Sequence, residues 1–380
     1  MPSHSSVDIP LALLVVFVSA KLLGELFERL RQPSIVGEIL AGVLIGPHVL
    51  GWIGPSEALS LLGELGVMFL LFRVGLEVKS SELVALGGQA LLIAASGVVV
   101  PFLCGWGISV WWGLPTLEAV FIGAAMVATS VGITAQVLAS GGWLSERASK
   151  LIVAAAVIDD VLGLLVLAAV SSMARGAVNY TDLAVTAGIA GGFTLLVVFA
   201  GSRVMRNLLP KIRGGMRGVE AEFTIALGLL FGLALLASYA GVAAIIGAFL
   251  AGMALSESID GRVLPLTDGV TKFLVPFFLV GIGLNFDMTS FRENAGFTLL
   301  IVAAAVLSKL VACGVAALQL GRVDALRVGV GMIPRGEVGM VVAQIGLGFG
   351  VMAQSVYGTI VFMSIATTLI APPLLRRAFR

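Results

Sequence analysis

Thirteen apolar stretches follow one another along the chain, at residues 9–30, 34–52, 59–77, 84–112, 117–139, 150–173, 181–204, 221–240, 242–256, 266–284, 295–320, 324–350 and 355–375. About 20 apolar residues in a helix cross the roughly 30 Å hydrocarbon core of a bilayer. With no water in that core, each backbone N–H and C=O needs a partner inside the protein, which favours helices. The pattern therefore predicts an all-α polytopic membrane protein with 13 transmembrane helices, the lipid bilayer being its solvent. Charge content agrees: 12% of the 380 residues are charged, against about 25% in soluble domains. The 48 glycines would each weaken a helix in water by about 1 kcal/mol relative to Ala. In a membrane bundle they let helices approach closely.

Other functional classes recede on the same grounds. A net charge of +1 points to neither nucleic acid nor an acidic partner. Cys104 and Cys313 lie in apolar stretches and read as core thiols. Residues 1–8 hold no Lys or Arg, so the first stretch reads as a retained helix rather than a cleaved signal. No stretch has the composition of an attached regulatory domain.

The basic residues give the expected orientation. If the N-terminus is outside and the stretches alternate, sixteen Lys or Arg residues fall on the cytoplasmic side and two, Arg175 and Arg292, fall outside. That asymmetry follows the positive-inside rule and places the C-terminus in the cytoplasm of an inner (plasma) membrane. The basic run from Arg203 to Arg217 fixes topology or binds anionic lipid.

Five basic residues, Lys21, Arg73, Lys272, Lys309 and Arg335, are left inside apolar stretches, with the acids Glu38, Glu64, Asp159, Asp160 and Glu337. A charge at mid-bilayer costs about 2.5–3.5 kcal/mol or more, so each needs a partner, a cavity or a place near the surface. Lys21 and Glu25 are four apart and can pair on one helix face. Arg73 and Lys272 can reach the cytoplasmic surface. Asp159 and Asp160 lie about nine residues into their stretch, about 14 Å deep at 1.5 Å per residue. Lys309 is central to its own stretch.

Two stretches carry helix breakers at that same depth. The fifth reads Ala128-Thr129-Ser130-Val131-Gly132-Ile133-Thr134, and the twelfth Met332-Ile333-Pro334-Arg335-Gly336-Glu337-Val338-Gly339. Polar, β-branched and Gly residues weaken the first. Pro334 removes a donor and clashes with the preceding turn in the second. Broken helices at corresponding places in two halves mark transporter sites. Stretches two to six and nine to thirteen form those halves. Their offset of seven makes the repeat inverted.

Neighbouring helix residues point about 100° apart, so one of Asp159 and Asp160 can meet Lys309 while the other faces a cavity. Burial and a neighbouring ammonium pull a carboxylate's protonation in opposite directions. A carboxylate so placed takes either a proton or a small cation, and that competition yields exchange. Carbonyls freed at the breaks would complete the cation's oxygen shell.

The segments Gln32-Pro33-Ser34-Ile35-Val36-Gly37-Glu38 and Leu40-Ala41-Gly42-Val43-Leu44-Ile45-Gly46-Pro47 are similar to the start of the monovalent cation:proton antiporter-2 family. The two broken motifs and Ala156-Val157-Ile158-Asp159-Asp160-Val161-Leu162-Gly163 resemble it too, most closely its NapA-type sodium/proton antiporters. The resemblance implies the sodium/proton antiporter fold with its two broken helices crossing, a homodimer and an elevator motion. It implies a core domain at about 59–173 and 295–375 with part of 266–284, and a dimerisation domain at about 9–52 and 181–256. It implies Asp160 as the ion-binding carboxylate, holding a transient Na+ with Thr129, and Asp159 with Lys309 as a salt bridge that opens in transport. It implies helix-break roles for Thr129, Ser130, Pro334, Arg335 and Glu337, electrogenic exchange of Na+ or Li+, and no cofactor. A K+/H+ antiporter of the same family is the first alternative and a passive cation channel a distant one. An intramembrane aspartyl protease would need its two acids on different helices, with a Gly-Asp motif that is absent here.

Overall fold

A computed structural model describes residues 9–30, 32–78, 80–174, 180–213, 219–258, 263–285 and 294–380. All its regular elements there are helical. They are α1 (Ile9–Arg29), α2 (Ser34–Ile45), α3 (Glu57–Glu77), α4 (Ser80–Trp111), α5 (Thr116–Ala125), α6 (Val131–Gly141), α7 (Arg147–Ala174) and α8 (Tyr180–Arg213). There follow α9 (Val219–Tyr239), α10 (Ala244–Leu255), α11 (Val263–Leu284), α12 (Ala295–Ala316), a 3-10 turn at Leu318–Leu320, α13 (Arg322–Gly331), α14 (Glu337–Gly348) and α15 (Gln354–Ala378).

Eleven of the thirteen apolar stretches each hold one α-helix. The other two are broken, into α5 and α6 and into α13 and α14. Among the described residues, nine helices are long and apolar enough to cross a membrane alone. The remaining stretches consist of the short helices α2 and α10 and the two broken pairs. At 1.5 Å per residue, the 12 residues of α2 or α10 reach about 18 Å. Length and apolarity of single helices account for nine crossings among the described residues, and the count of thirteen rests besides on the short helices and the broken pairs.

Helices α1 to α7 and α9 to α15 run in the same order, each set with its broken pair as fifth and sixth members, so the correspondence takes in one more helix than the halves read from the sequence. Helices α1 and α9 both have 21 residues, α2 and α10 both 12, and α5 and α13 both 10. Helix α8 has no counterpart and joins the halves, packing on α10 and α7. Each half docks on the other through paired glycines. A Cβ on Gly42 of α2 would lie 2.1 Å from the Val280 carbonyl oxygen of α11, and one on Gly283 of α11 would lie 2.1 Å from that of Ile39. In the second half, a Cβ on Gly252 of α10 would lie 2.1 Å from the Phe72 oxygen of α3, and one on Gly75 of α3 would lie 2.2 Å from that of Phe249. No real Cβ fits at such distances, so backbone lies on backbone at both crossings, as in small-residue membrane packing.

Packing sorts the helices into two groups. Helices α2 and α3 lie against α11, α3 against α10, α1 against α2, and α9 against α10. Helices α4 to α7 and α12 to α15 pack among themselves. Where the groups touch, Gly132 of α6 faces α3 and α11: its added Cβ would lie 2.7 Å from Val67 Cγ2 and 3.5 Å from the Phe278 ring.

The outlying charges pair differently from the sequence expectation in one case. Lys21 does not pair with Glu25. Its Nζ lies 3.3 Å from Glu38 Oε1 on α2, and Glu25 pairs instead with Arg29 at 2.9 Å. The helix-face rule gave a possible neighbour, and a buried carboxylate on the next helix took the ammonium. Arg73 and Lys272 share Asp268 of α11, at 2.8 Å and 2.6 Å. The Arg73 contact has the distance of an ion pair but misses hydrogen-bond geometry.

Candidate ion site at the crossing of two broken helices

Local sequence dictates both breaks. Helix α5 ends at Ala125, and the chain stays non-helical until Val131. Helix α13 ends at Gly331, three residues short of Pro334, whose ring disfavours helical backbone before it. Helix α14 then starts at Glu337. Each break strands backbone donors and acceptors that water cannot reach, at several kcal/mol apiece if unmet.

The breaks satisfy much of each other's need. The Ser130 N–H donates to the Pro334 carbonyl at 2.8 Å. The Thr134 hydroxyl donates to the Gly331 carbonyl at the end of α13, at 2.7 Å. Arg335 is wholly buried; its Nη1 donates to the Val127 carbonyl at 3.2 Å and its Nη2 to that of Ala305 at 3.1 Å. Gly336 passes so close to Ser130 that a Cβ there would lie 2.7 Å from the Ser130 Cβ. Glycine at that point is a condition of the crossing.

The ionised groups sit at this crossing. Lys309 of α12 donates from Nζ to both oxygens of Asp159 on α7, at 2.9 Å and 3.1 Å, and both side chains are wholly buried. Asp159 Oδ2 also accepts from the Thr129 N–H in the first break, at 3.1 Å. A buried carboxylate between an ammonium and a backbone donor is well compensated. Its neighbour Asp160 is 8% exposed. Three further buried hydroxyls, those of Thr129, Ser130 and Ser364, have no hydrogen-bond partner among the described residues, nor has Arg335 Nε. Space for the ammonium is left by Gly97 of α4, whose added Cβ would lie 3.0 Å from Lys309 Nζ and 2.9 Å from Cys313 Sγ.

Of the residues singled out in the sequence, the structure brings Asp159, Lys309, Thr129, Ser130, Pro334 and Arg335 together at the crossing, with Asp160 next to Asp159 in the chain. The Glu337 side chain lies outside the described residues. Sequence reasoning missed Thr134, Gly97, Thr367 and Thr368. The last two bond the Arg335 peptide, Thr367 Oγ1 accepting from its N–H at 3.1 Å and the Thr368 hydroxyl donating to its carbonyl at 2.9 Å. A small or hydroxylated residue in an apolar helix carries no signal as loud as a charge.

The family described as "Sodium/hydrogen exchanger, transmembrane" matches residues 13–380, nearly the whole chain. The chain belongs to the sodium/hydrogen exchanger family. Its members are transporters, not enzymes. Among this exchanger's relatives, the Na(+)/H(+)-K(+) antiporter GerN of Bacillus cereus is 36% identical, the alignment covering 96% of this chain and 95% of that one. The high-affinity Na(+)/H(+) antiporter NhaS3 of Synechocystis is 33% identical, with 97% and 89% covered. The fold of the sodium proton antiporter MjNhaP1 of Methanocaldococcus jannaschii is shared at 18% identity. Its electron-microscopy structure has a TM-score of 0.73, covering 97% of this exchanger and 94% of that chain.

Proposed function

We propose that this protein is an electrogenic antiporter that exchanges Na+ (or Li+) for H+ by alternating access. The observation that carries the reading is the Asp159–Lys309 pair, with Asp160 beside it, at the crossing of two mutually bonded helix breaks. In that setting Asp160 is the carboxylate on which cation and proton compete. Asp159 is held by Lys309 and by the Thr129 amide and changes partner as the cation enters. The Thr129 hydroxyl is buried and unspent, and it supplies an oxygen to the ion. High pH on one side strips the proton from Asp160 and favours cation binding there; low pH on the other reverses it. The transported ions are substrates, and the mechanism asks for no cofactor.

The moving body in this proposal is the group of helices from 80 to 174 and from 295 to 378. That is narrower than the sequence resemblance implies, because residues 57–77 pack with α10 and α11. Contacts across the repeat support a rigid core. Arg327 of α13 pairs with Glu146 at 2.8 Å, donates to the Ala378 carbonyl at 3.0 Å and lies 4.7 Å from the Phe379 ring. Phe379 in turn stacks on Trp143. The other group forms a fixed panel and the contact of a homodimer. Thirteen crossings with the N-terminus outside a plasma membrane complete the proposal. K+ is the second cation to consider, because GerN, which aligns along nearly all of this chain, bears it in its name.

Proteoliposomes holding a pH gradient test the reading. Added NaCl should dissipate the gradient in wild type and not in Asp160→Asn, and an imposed Na+ gradient should generate a voltage. Wild-type exchange by Asp160→Asn would remove that residue from the mechanism. LiCl and KCl in the same assay decide between cations.

A further inference from the structure

The two breaks are held by unlike chemistry at equivalent places. Helices α6 and α14 begin at Val131 and Glu337, and two residues before each start lie Thr129 and Arg335. In the first repeat, the N–H of Thr129 is taken by Asp159 of α7. In the second, the N–H of Arg335 is taken by the Thr367 hydroxyl of α15. Helix α15 occupies the place in its half that α7 occupies in the other, directly after the broken pair. The residue after Asp159 is Asp160; the residue after Thr367 is Thr368, whose hydroxyl bonds the carbonyl of that same Arg335 peptide.

We infer that Thr367 and Thr368 are positioning residues of the ion site, the uncharged counterparts of Asp159 and Asp160. Together they hold the Arg335 peptide from both sides, Thr367 at its N–H and Thr368 at its carbonyl, the one Thr368 hydroxyl proton being shared with the Ser364 carbonyl at 2.8 Å. That clamp aims the guanidinium, whose two bonds run to the first break and to the lysine helix. Val127, which receives Nη1, lies two residues before Thr129. Ala305, which receives Nη2, lies one turn before Lys309. A shift of the Arg335 peptide is therefore passed to the backbone that holds Asp159 and to the helix that carries its counter-ion. The inequality also makes the site single. One break is met by the helix with two acids and can take a cation; its twin is met by the helix with two hydroxyls, and its guanidinium is tied to the first break and the lysine helix. A charge-neutral clamp does this without adding a second carboxylate that would compete for the ion or for Lys309.

The role in transport rests on the exchange proposed above, and the test separates the two. Thr367→Val and Thr368→Val keep the shape and lose the hydroxyl; Thr367→Ser and Thr368→Ser restore it. The first measurement is deuterium uptake by the 332–339 segment in detergent, which needs no transport. The second is the apparent KM for Na+ and the pH profile of exchange in proteoliposomes. Each Val variant should take up deuterium faster in that segment. It should also raise KM about 3- to 10-fold, the factor carried by one lost neutral hydrogen bond, and shift the pH profile. Each Ser variant should return towards wild type in both. Unchanged uptake in the Val variants overturns the clamp. Faster uptake with wild-type KM and pH profile overturns the link to the ion site and leaves a merely structural pair. Absence of exchange by wild type with every alkali cation defeats both the function and the link to ion binding, while the uptake comparison still decides the clamp.

Discussion

Lys309 reaches Asp159 through space that Gly97 leaves open, and the tolerance there is small. A methyl at residue 97 would lie 3.0 Å from the ammonium and 2.9 Å from Cys313 Sγ. Gly97→Ala should therefore push Lys309 away from the carboxylate and lower stability by about 1–3 kcal/mol, as overpacking does. Thermal unfolding in detergent measures it, and adding Cys313→Ala should restore part of the loss. Full stability in Gly97→Ala would mean that the pair has slack. At this scale the sequence was most legible where charge was out of place. Asp159, Asp160 and Lys309 stand out because a lone charge in hydrocarbon is costly. Which acid meets the lysine was open from helix geometry, since 100° of separation suits either; the resemblance supplied Asp159, and the structure agrees. The partner of Lys21 was misjudged because pairing along one helix ignores a neighbour such as Glu38.

The elements most clearly written in the sequence are the broken helices, because Pro334 and the polar run at Thr129 defeat a helix locally. What could not be read is how the breaks cross. The Ser130–Pro334 bond joins residues more than 200 positions apart, and no local propensity encodes it. Glycine pairs were illegible for another reason: composition shows 48 glycines but not which face a partner backbone. The structure sorts them. Gly252→Val should place carbon against the Phe72 carbonyl and abolish folding of the panel, seen as loss of the monodisperse peak in size exclusion. Gly232→Ala on α9, where nothing lies within 4 Å of the added Cβ, should leave that peak unchanged or slightly stabilise it. Equal behaviour of the two variants would argue that the crossing of α3 and α10 is not close.

On the scale of the whole molecule, the repeat was half seen. Alternation of the stretches gave the inversion. The equal lengths of α1 and α9 and of α2 and α10 carry the repeat one helix further back. The motif Ile35-Val36-Gly37-Glu38-Ile39-Leu40-Ala41-Gly42 does return as Ile245-Ile246-Gly247-Ala248-Phe249-Leu250-Ala251-Gly252. It is easily overlooked in a chain so rich in Ala, Leu and Gly. The proposed sliding of the core has a direct test at Gly132, which meets Val67 on the panel. With cysteines at residues 67 and 132, oxidation should halt exchange and reduction restore it. Undiminished exchange by the cross-linked protein would exclude relative movement there. The bond between Ser130 and Pro334 also sets a timetable for biogenesis. A nascent chain on the ribosome has inserted its first break long before the proline that answers it is synthesised. Until then the early half has a polar wound facing lipid, and it should need the shelter of an insertase or chaperone that the finished protein does without.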